Sequence, residues 1–92
     1  MILLVGGTSE AVEIARSLDR AGSSYIMTVA TGYGYTEAAS KVAGKVLRGP
    51  FDGAAFKQLL VDYPVTVVVD AAHPFAGELR RELAGAANEA GV

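Results

Sequence analysis

Four short apolar runs punctuate the 92-residue chain, and helical patterns fill most of the ground between them. Ile2-Leu3-Leu4-Val5 is apolar without interruption, the mark of a strand covered on both faces. From Ser9 to Ala21 the residues Ala11, Ala15, Leu18 and Ala21, flanked by Val12 and Ile14, follow the 3.6-residue period. Glu10, Glu13, Arg16, Asp19 and Arg20 fall mainly on the other faces, and Gly22 is the expected stop. A second strand runs from about Tyr25 to Ala30. The stretch Thr31-Gly32-Tyr33-Gly34-Tyr35 reads as a loop, and Thr36 to Ala43 has room for a short helical turn. Lys45 to Arg48 is a short third strand, punctuated by Gly49 and Pro50. Asp52 is placed to cap a helix that turns Ala55, Phe56, Leu59, Leu60 and Tyr63 inward and stops at Pro64. Thr66-Val67-Val68-Val69 is the clearest strand, β-branched throughout. A last helix, Phe75 to Ala90, repeats apolar residues at Phe75, Leu79, Leu83, Ala86 and Ala90.

Strands that alternate with helices imply an α/β domain with a parallel sheet and crossover helices on both of its faces. The count is four strands and three substantial helices. Right-handed crossovers and the usual doubly wound arrangement give the strand order 3-2-1-4. Strands one and four then flank the topological switch point, where ligands bind beyond the C-terminal strand ends.

Composition narrows the possibilities. Ninety-two residues make a single small domain. Half of them are hydrophobic, 51%, and 20% are charged, as in a soluble globular chain. A net charge of −2 offers no general attraction for nucleic acid or anionic membrane. No apolar run approaches the roughly 18 residues of a spanning helix, and the N-terminus lacks a signal-peptide pattern. The absence of cysteine removes disulfides, zinc–thiolate sites and thiol catalysis together. A cytoplasmic location is the default expectation. The chain closes on Asn88-Glu89-Ala90-Gly91-Val92, a helix stop at Gly91 followed by the start of another apolar stretch, so it reads as part of something longer.

Candidate chemistry gathers at three places. The first is Gly6-Gly7-Thr8-Ser9-Glu10-Ala11, between the first strand and the first helix. Glycines allow a tight turn with open backbone N–H groups, and the helix that follows points its positive end at whatever anion sits above it. Against the dinucleotide fingerprint G-x-G-x-x-G/A, Gly6 takes the first position, Thr8 the second and Ala11 the third. Thr8 is the departure, and its hydroxyl is expected to compensate by donating to a phosphate oxygen. A strand-to-helix turn that binds nothing is the alternative.

The tip of the second strand, Val29-Ala30-Thr31-Gly32-Tyr33-Gly34, is the second place. The carboxylate that normally holds a ribose 2′-hydroxyl is missing there, and the next acid is Glu37. Hydroxyls and free N–H groups at Thr31, Gly32 and Tyr33 suit a 2′-phosphate better, with Arg48 close by if it ends the neighbouring strand. This favours NADP over NAD; a loop without ligand is the alternative. The third place is Asp70-Ala71-Ala72-His73-Pro74-Phe75-Ala76. His73, the chain's one histidine, would orient a nicotinamide, touch phosphate or move a proton, or else serve only to cap and pack. Pro74 suits the first turn of the next helix. Asp70 reads either as a cap for that helix or as a cofactor contact. Glu78, Arg80, Arg81, Glu82 and Glu89 look like a solvated helix face, and no metal-ligand cluster or nucleophile–base pair occurs.

Three stretches together, Leu3 to Ala11 (LLVGGTSEA), Val29 to Gly34 (VATGYG) and Val67 to Ala76 (VVVDAAHPFA), resemble the precorrin-6A reductase family, including its cobalt-precorrin-6A form. The match covers the whole chain but only about the N-terminal half of the family's usual length. The resemblance implies two Rossmann-like domains with cofactor and tetrapyrrole between them. It also implies NADPH-dependent reduction of a macrocycle double bond during cobalamin synthesis. On this basis Gly6, Gly7, Thr8, Ser9 and Glu10 would hold the pyrophosphate region, Ala30, Thr31 and Gly32 the adenosine end with its 2′-phosphate, and His73, Pro74 and Phe75 with Ala76 would line the nicotinamide side. Ala72 departs from the threonine common in the family. No catalytic acid is assigned, the substrate would be met by a second domain, and the 92 residues alone are expected to show no turnover.

Two other readings remain. One is a non-enzymatic module that senses dinucleotide or adenine nucleotide for a partner. The other is a different NADP-dependent oxidoreductase such as a short-chain reductase, which needs a Tyr-x-x-x-Lys pair that this chain lacks.

Overall fold

Eight elements alternate along the chain in the computed structural model, which describes all residues from Met1 to Val92. They are β1 (Ile2–Val5), α1 (Ser9–Ala21), β2 (Tyr25–Val29), α2 (Gly32–Ala39), β3 (Lys45–Arg48), α3 (Gly53–Asp62), β4 (Val67–Asp70) and α4 (Gly77–Ala90). The strands form one parallel sheet in the order β3-β2-β1-β4, as the alternation of patterns implies. Registers align the strand ends, with Val5 opposite Thr28 on one side and opposite Asp70 on the other.

The pleat divides β1 and β2 between two cores. Leu3, Val5 and Ile26 face α3 and α4, where Phe56, Leu59, Leu83 and Ala86 cover them. Leu4, Met27 and Val29 face α1 and α2, against Ala11, Ala15 and Ala38. The small residues on that second side let α1 lie close to the strands. The helix ends at Asp52, Gly22 and Gly91 fall where the sequence places them, and Thr8 adds a cap that the turn pattern did not assign. Thr8 caps α1, Asp52 caps α3 through the Ala55 N–H at 2.8 Å, and Gly22 and Gly91 close α1 and α4 in the left-handed conformation.

Two local expectations are corrected. There are four helices, because Gly32 to Tyr35 is the first turn of α2 rather than a loop. Thr31 starts that helix by accepting the Gly34 N–H at 3.0 Å. Gly34 is a packing glycine, since a methyl there would stand 2.6 Å from Cγ1 of Val29. Two glycines in three residues read as a breaker; here one of them lets the helix press onto β2.

The last helix begins at Gly77, not Phe75. The His73 carbonyl accepts the Ala76 N–H at 2.9 Å, closing a β-turn with Pro74 at its second position, where the ring's fixed φ is favourable. The Phe75 N–H meanwhile goes to Nδ1 of His73 at 3.2 Å. Phe75 is left 90% exposed instead of joining the apolar stripe of α4. The most β-branched strand, Val67–Asp70, lies at the sheet edge, where the order 3-2-1-4 places it, and Val67 is 49% exposed. Its outer side has no partner strand within these residues.

Candidate nucleotide-binding site

Parallel strands bring all their C-terminal ends to one edge, so the β1–α1 turn, the β2–α2 turn and the β4–α4 loop meet there. Gly6 lies flat against the neighbouring strand. Its N–H donates to the Thr28 carbonyl at 2.8 Å, and a methyl at its α-carbon would approach that oxygen to 3.1 Å. Gly7 has φ +115, a conformation that side chains rarely adopt, and the space its missing Cβ would take is open for 4 Å. The amides of Gly7 and Thr8 donate to no acceptor in the protein. Those of Ser9 and Glu10, the first of α1, have no helical partner by geometry. Glu10 lies in that exposed first turn, where the Ser9 hydroxyl reaches its carboxylate at 3.5 Å.

Thr8 differs from expectation in a specific way. Its hydroxyl donates to the Ala71 carbonyl at 2.7 Å and accepts the Ala11 N–H at 3.2 Å. The proton expected to meet phosphate is therefore taken up in tying the β1 turn to the end of β4. An anion above the turn would be met by backbone N–H groups instead.

Gly7, Thr8 and Ser9 share a cleft of about 250 Å³ with Thr31, Tyr33 and Lys41. The first two candidate places thus form one concavity, bounded by the N-terminal ends of α1 and α2. Thr31 uses its oxygen as a cap, and its own proton has no protein acceptor. Pairing of Val29 with Arg48 carries the arginine to the same edge. A methyl at Gly32 would stand 2.8 Å from Nη2 of Arg48, so the guanidinium lies across the bare glycine. Arg48 belongs to none of the chain's three ion pairs. The sequence did not single out Glu37 and Lys41 as part of this cleft. They pair at 3.0 Å across the end of α2, Glu37 on its last turn and Lys41 just past its cap at Ser40.

The third place stands on the far side of β1. Ala71 donates to the Val5 carbonyl at 2.9 Å, and His73, Pro74 and Phe75 project beyond it, all exposed. They do not line the α1–α2 cleft; the Thr8–Ala71 bond is what joins their loop to it. The Ala72 N–H is not free, since it donates to Oδ1 of Asp70 at 3.0 Å. Asp70 caps no helix. It ion-pairs with Arg80 of α4, a residue that reads from sequence as part of a solvated face. Partial burial by itself pushes the Asp70 carboxyl up, but the bonds from Arg80 and from the Ala72 N–H outweigh it and hold the group below the usual carboxylate range.

A doubly wound α/β domain whose open amides and cleft lie at the switch-point edge is the class that fold and site define. The chain belongs to the precorrin-6x reductase family CbiJ/CobK, whose pattern it matches over residues 1–92. It is 38% identical over 76 residues to the cobalt-precorrin-6A reductase of Methanocaldococcus jannaschii, covering 82% of this chain and 30% of that one. It is 36% identical over 93 residues to the precorrin-6A reductase of Rhodococcus erythropolis, covering 99% of this chain and 36% of the relative. Among solved structures, CobK precorrin-6A reductase superposes with a TM-score of 0.81 at 30% identity, over 99% of this chain and 36% of that one. The chain spans about a third of the length of the relatives it matches.

Proposed function

We propose that this chain is the cofactor-binding part of an NADPH-dependent reductase acting on precorrin-6A or cobalt-precorrin-6A in cobalamin biosynthesis. The rest of the tetrapyrrole site would lie in a further domain. When bound, the cofactor supplies a hydride to a carbon–carbon double bond of the macrocycle. The residues of this chain position it. Gly7, Thr8, Ser9 and Glu10 offer backbone N–H groups and the α1 terminus to the pyrophosphate, and Gly6, its own N–H held by Thr28, shapes the turn beneath it. Ala30, Thr31 and Gly32 receive the adenosine end, and His73, Pro74 and Phe75 flank the nicotinamide. The reading carries a cytoplasmic location with it, and no helix is long and apolar enough to cross a membrane.

The observation that carries the cofactor choice is the β2 tip. Where a ribose-binding carboxylate would stand, the chain has Ala30, Thr31 and Gly32, with the Arg48 guanidinium lying over the glycine. A 2′-phosphate would gain a charge-assisted partner there and meet no acid closer in sequence than Glu37, itself held by Lys41. Fluorescence titration of the complete reductase is expected to give at least about tenfold tighter binding for NADPH than for NADH, with Arg48→Ala removing most of the difference. Equal affinity of the unaltered protein for the two dinucleotides overturns the 2′-phosphate reading. The 92 residues alone should show no turnover.

A further inference from the structure

Arg80 lies on the first turns of α4, yet its guanidinium turns back toward β4. Nε donates to Oδ2 of Asp70, and Nη2 reaches Oδ1 of the same carboxylate at 3.5 Å. The same Nη2 shares its two N–H groups with the Ala72 carbonyl at 3.4 Å and the His73 carbonyl at 3.5 Å, and Nη1 reaches the Pro74 carbonyl at 3.4 Å. Asp70 closes the frame by accepting the Ala72 N–H at 3.0 Å. One planar cation therefore gathers the whole Asp70–Pro74 segment. A five-donor fork can do this and an ammonium cannot.

The frame has a consequence for His73. The Phe75 N–H donates to Nδ1 at 3.2 Å, so the neutral ring keeps its proton on Nε2. The Phe75 ring sits beside the imidazole, 5.2 Å between centroids. Both rings are exposed and make no contact with either core, so packing does not fix them. What fixes them is the backbone path from Ala72 to Ala76, and Arg80 holds that path from outside.

We infer that Arg80 is a positioning residue. Through Asp70 and the Ala72, His73 and Pro74 carbonyls it sets where His73 presents its Nε2–H, and Phe75 its ring, to the reacting end of the bound dinucleotide. The inference rests on the reductase reading for its kinetic consequence and on the hydrogen-bond frame alone for its structural one. Arg80 acts through these groups of the chain. Its removal is expected to slow hydride transfer while leaving dinucleotide affinity, set at the α1–α2 cleft, nearly intact.

The test compares the complete reductase with its Arg80→Gln, Arg80→Lys and Asp70→Asn variants by single-turnover kinetics, NADPH titration and amide hydrogen exchange. Arg80→Gln should lose about 10- to 100-fold in the rate of hydride transfer, the scale of a misplacement of roughly 1 Å. Its dissociation constant for NADPH should stay within about threefold. Arg80→Lys keeps the charge and loses the fork, so it should not restore the rate. Asp70→Asn should show the same pattern and be non-additive with Arg80→Gln. Exchange of the Ala72 and Phe75 amides should quicken in all three variants. A normal rate with unchanged exchange at those amides overturns the inference, and so does a loss that appears wholly in NADPH affinity. If the unaltered protein neither binds nor oxidises NADPH, the reductase reading fails, and the exchange data still decide the role of Arg80.

Discussion

Thr8 shows how one side chain can be misread in role while correctly placed. It occupies the second glycine position of a dinucleotide fingerprint, and a hydroxyl there invites a phosphate. In the folded chain the hydroxyl joins the Ala71 carbonyl to the Ala11 N–H, bridging β4 and α1 across the switch point. Thr8→Val keeps the shape and leaves both partners without a bond. A loss of about 1–3 kcal/mol is expected from chemical unfolding, the sum of a lost cap and a part-buried carbonyl left unpaired. A loss below about 0.5 kcal/mol would show that water replaces both bonds freely. Arg80 is the converse case. Its charge and its neighbours on α4 read as solvated surface, and only the return of the chain from β4 brings carbonyls to it. No periodicity in the sequence marks a residue whose partners lie six to ten positions back in an irregular loop.

Among the elements, the junction of α1, β2 and β3 is fixed by a polar knot at the edge opposite the candidate site. The Tyr25 hydroxyl donates to Asp19 at 2.7 Å and accepts the Gly44 N–H at 3.0 Å, while Asp19 also takes the Ala43 N–H at 3.0 Å. Gly44 packs so closely on the Tyr25 ring that a methyl would overlap it, and the tethered ring cannot swing away. Gly85, within α4, has nothing within 4 Å of the same position. The same substitution should therefore act with opposite sign at the two sites. Gly44→Ala is expected to destabilise by about 1–3 kcal/mol through overpacking. Gly85→Ala should stabilise by about 0.5–1 kcal/mol through helix propensity. Thermal melting of the two variants checks both, and a Gly44→Ala melting point equal to the parent's would remove the overlap argument. At this scale strand existence and order were legible, because apolar runs and turn residues are local signals. The start of α2 was not, because Gly34 acts through its contact with Val29, which belongs to another element.

For the whole molecule, two carboxylates on opposite edges of the sheet tie stability to acid pH. Asp19 is held below its ordinary value of 3.8 by the Ala43 N–H first and the Tyr25 hydroxyl next. Asp70 is also held below 3.8, by Arg80 and the Ala72 N–H working against partial burial. A carboxylate with a depressed folded-state pKa contributes stability that is full above the unfolded value, near pH 4, and is lost as pH falls through the folded value. Unfolding free energy should thus decline below about pH 4. Asp70→Asn should make that decline shallower without abolishing it, because Asp19 still titrates. An acid limb of unchanged slope in Asp70→Asn would show that the Arg80 pair contributes nothing to it.

By itself the sequence determined the alternation of elements, the parallel sheet in its order, the positions of most caps and the three segments that converge at the strand ends. These follow from hydrophobic period, turn chemistry and the handedness of crossovers, which act within a few residues or on every chain alike. Only the tertiary structure decided which polar atoms remained open at that edge. It turned Thr8 inward, laid Arg48 across Gly32 and folded Arg80 under the His73 loop. The reason is physical. Hydrogen-bond partners between segments tens of residues apart exist only once packing has brought those segments together, and no local pattern encodes them.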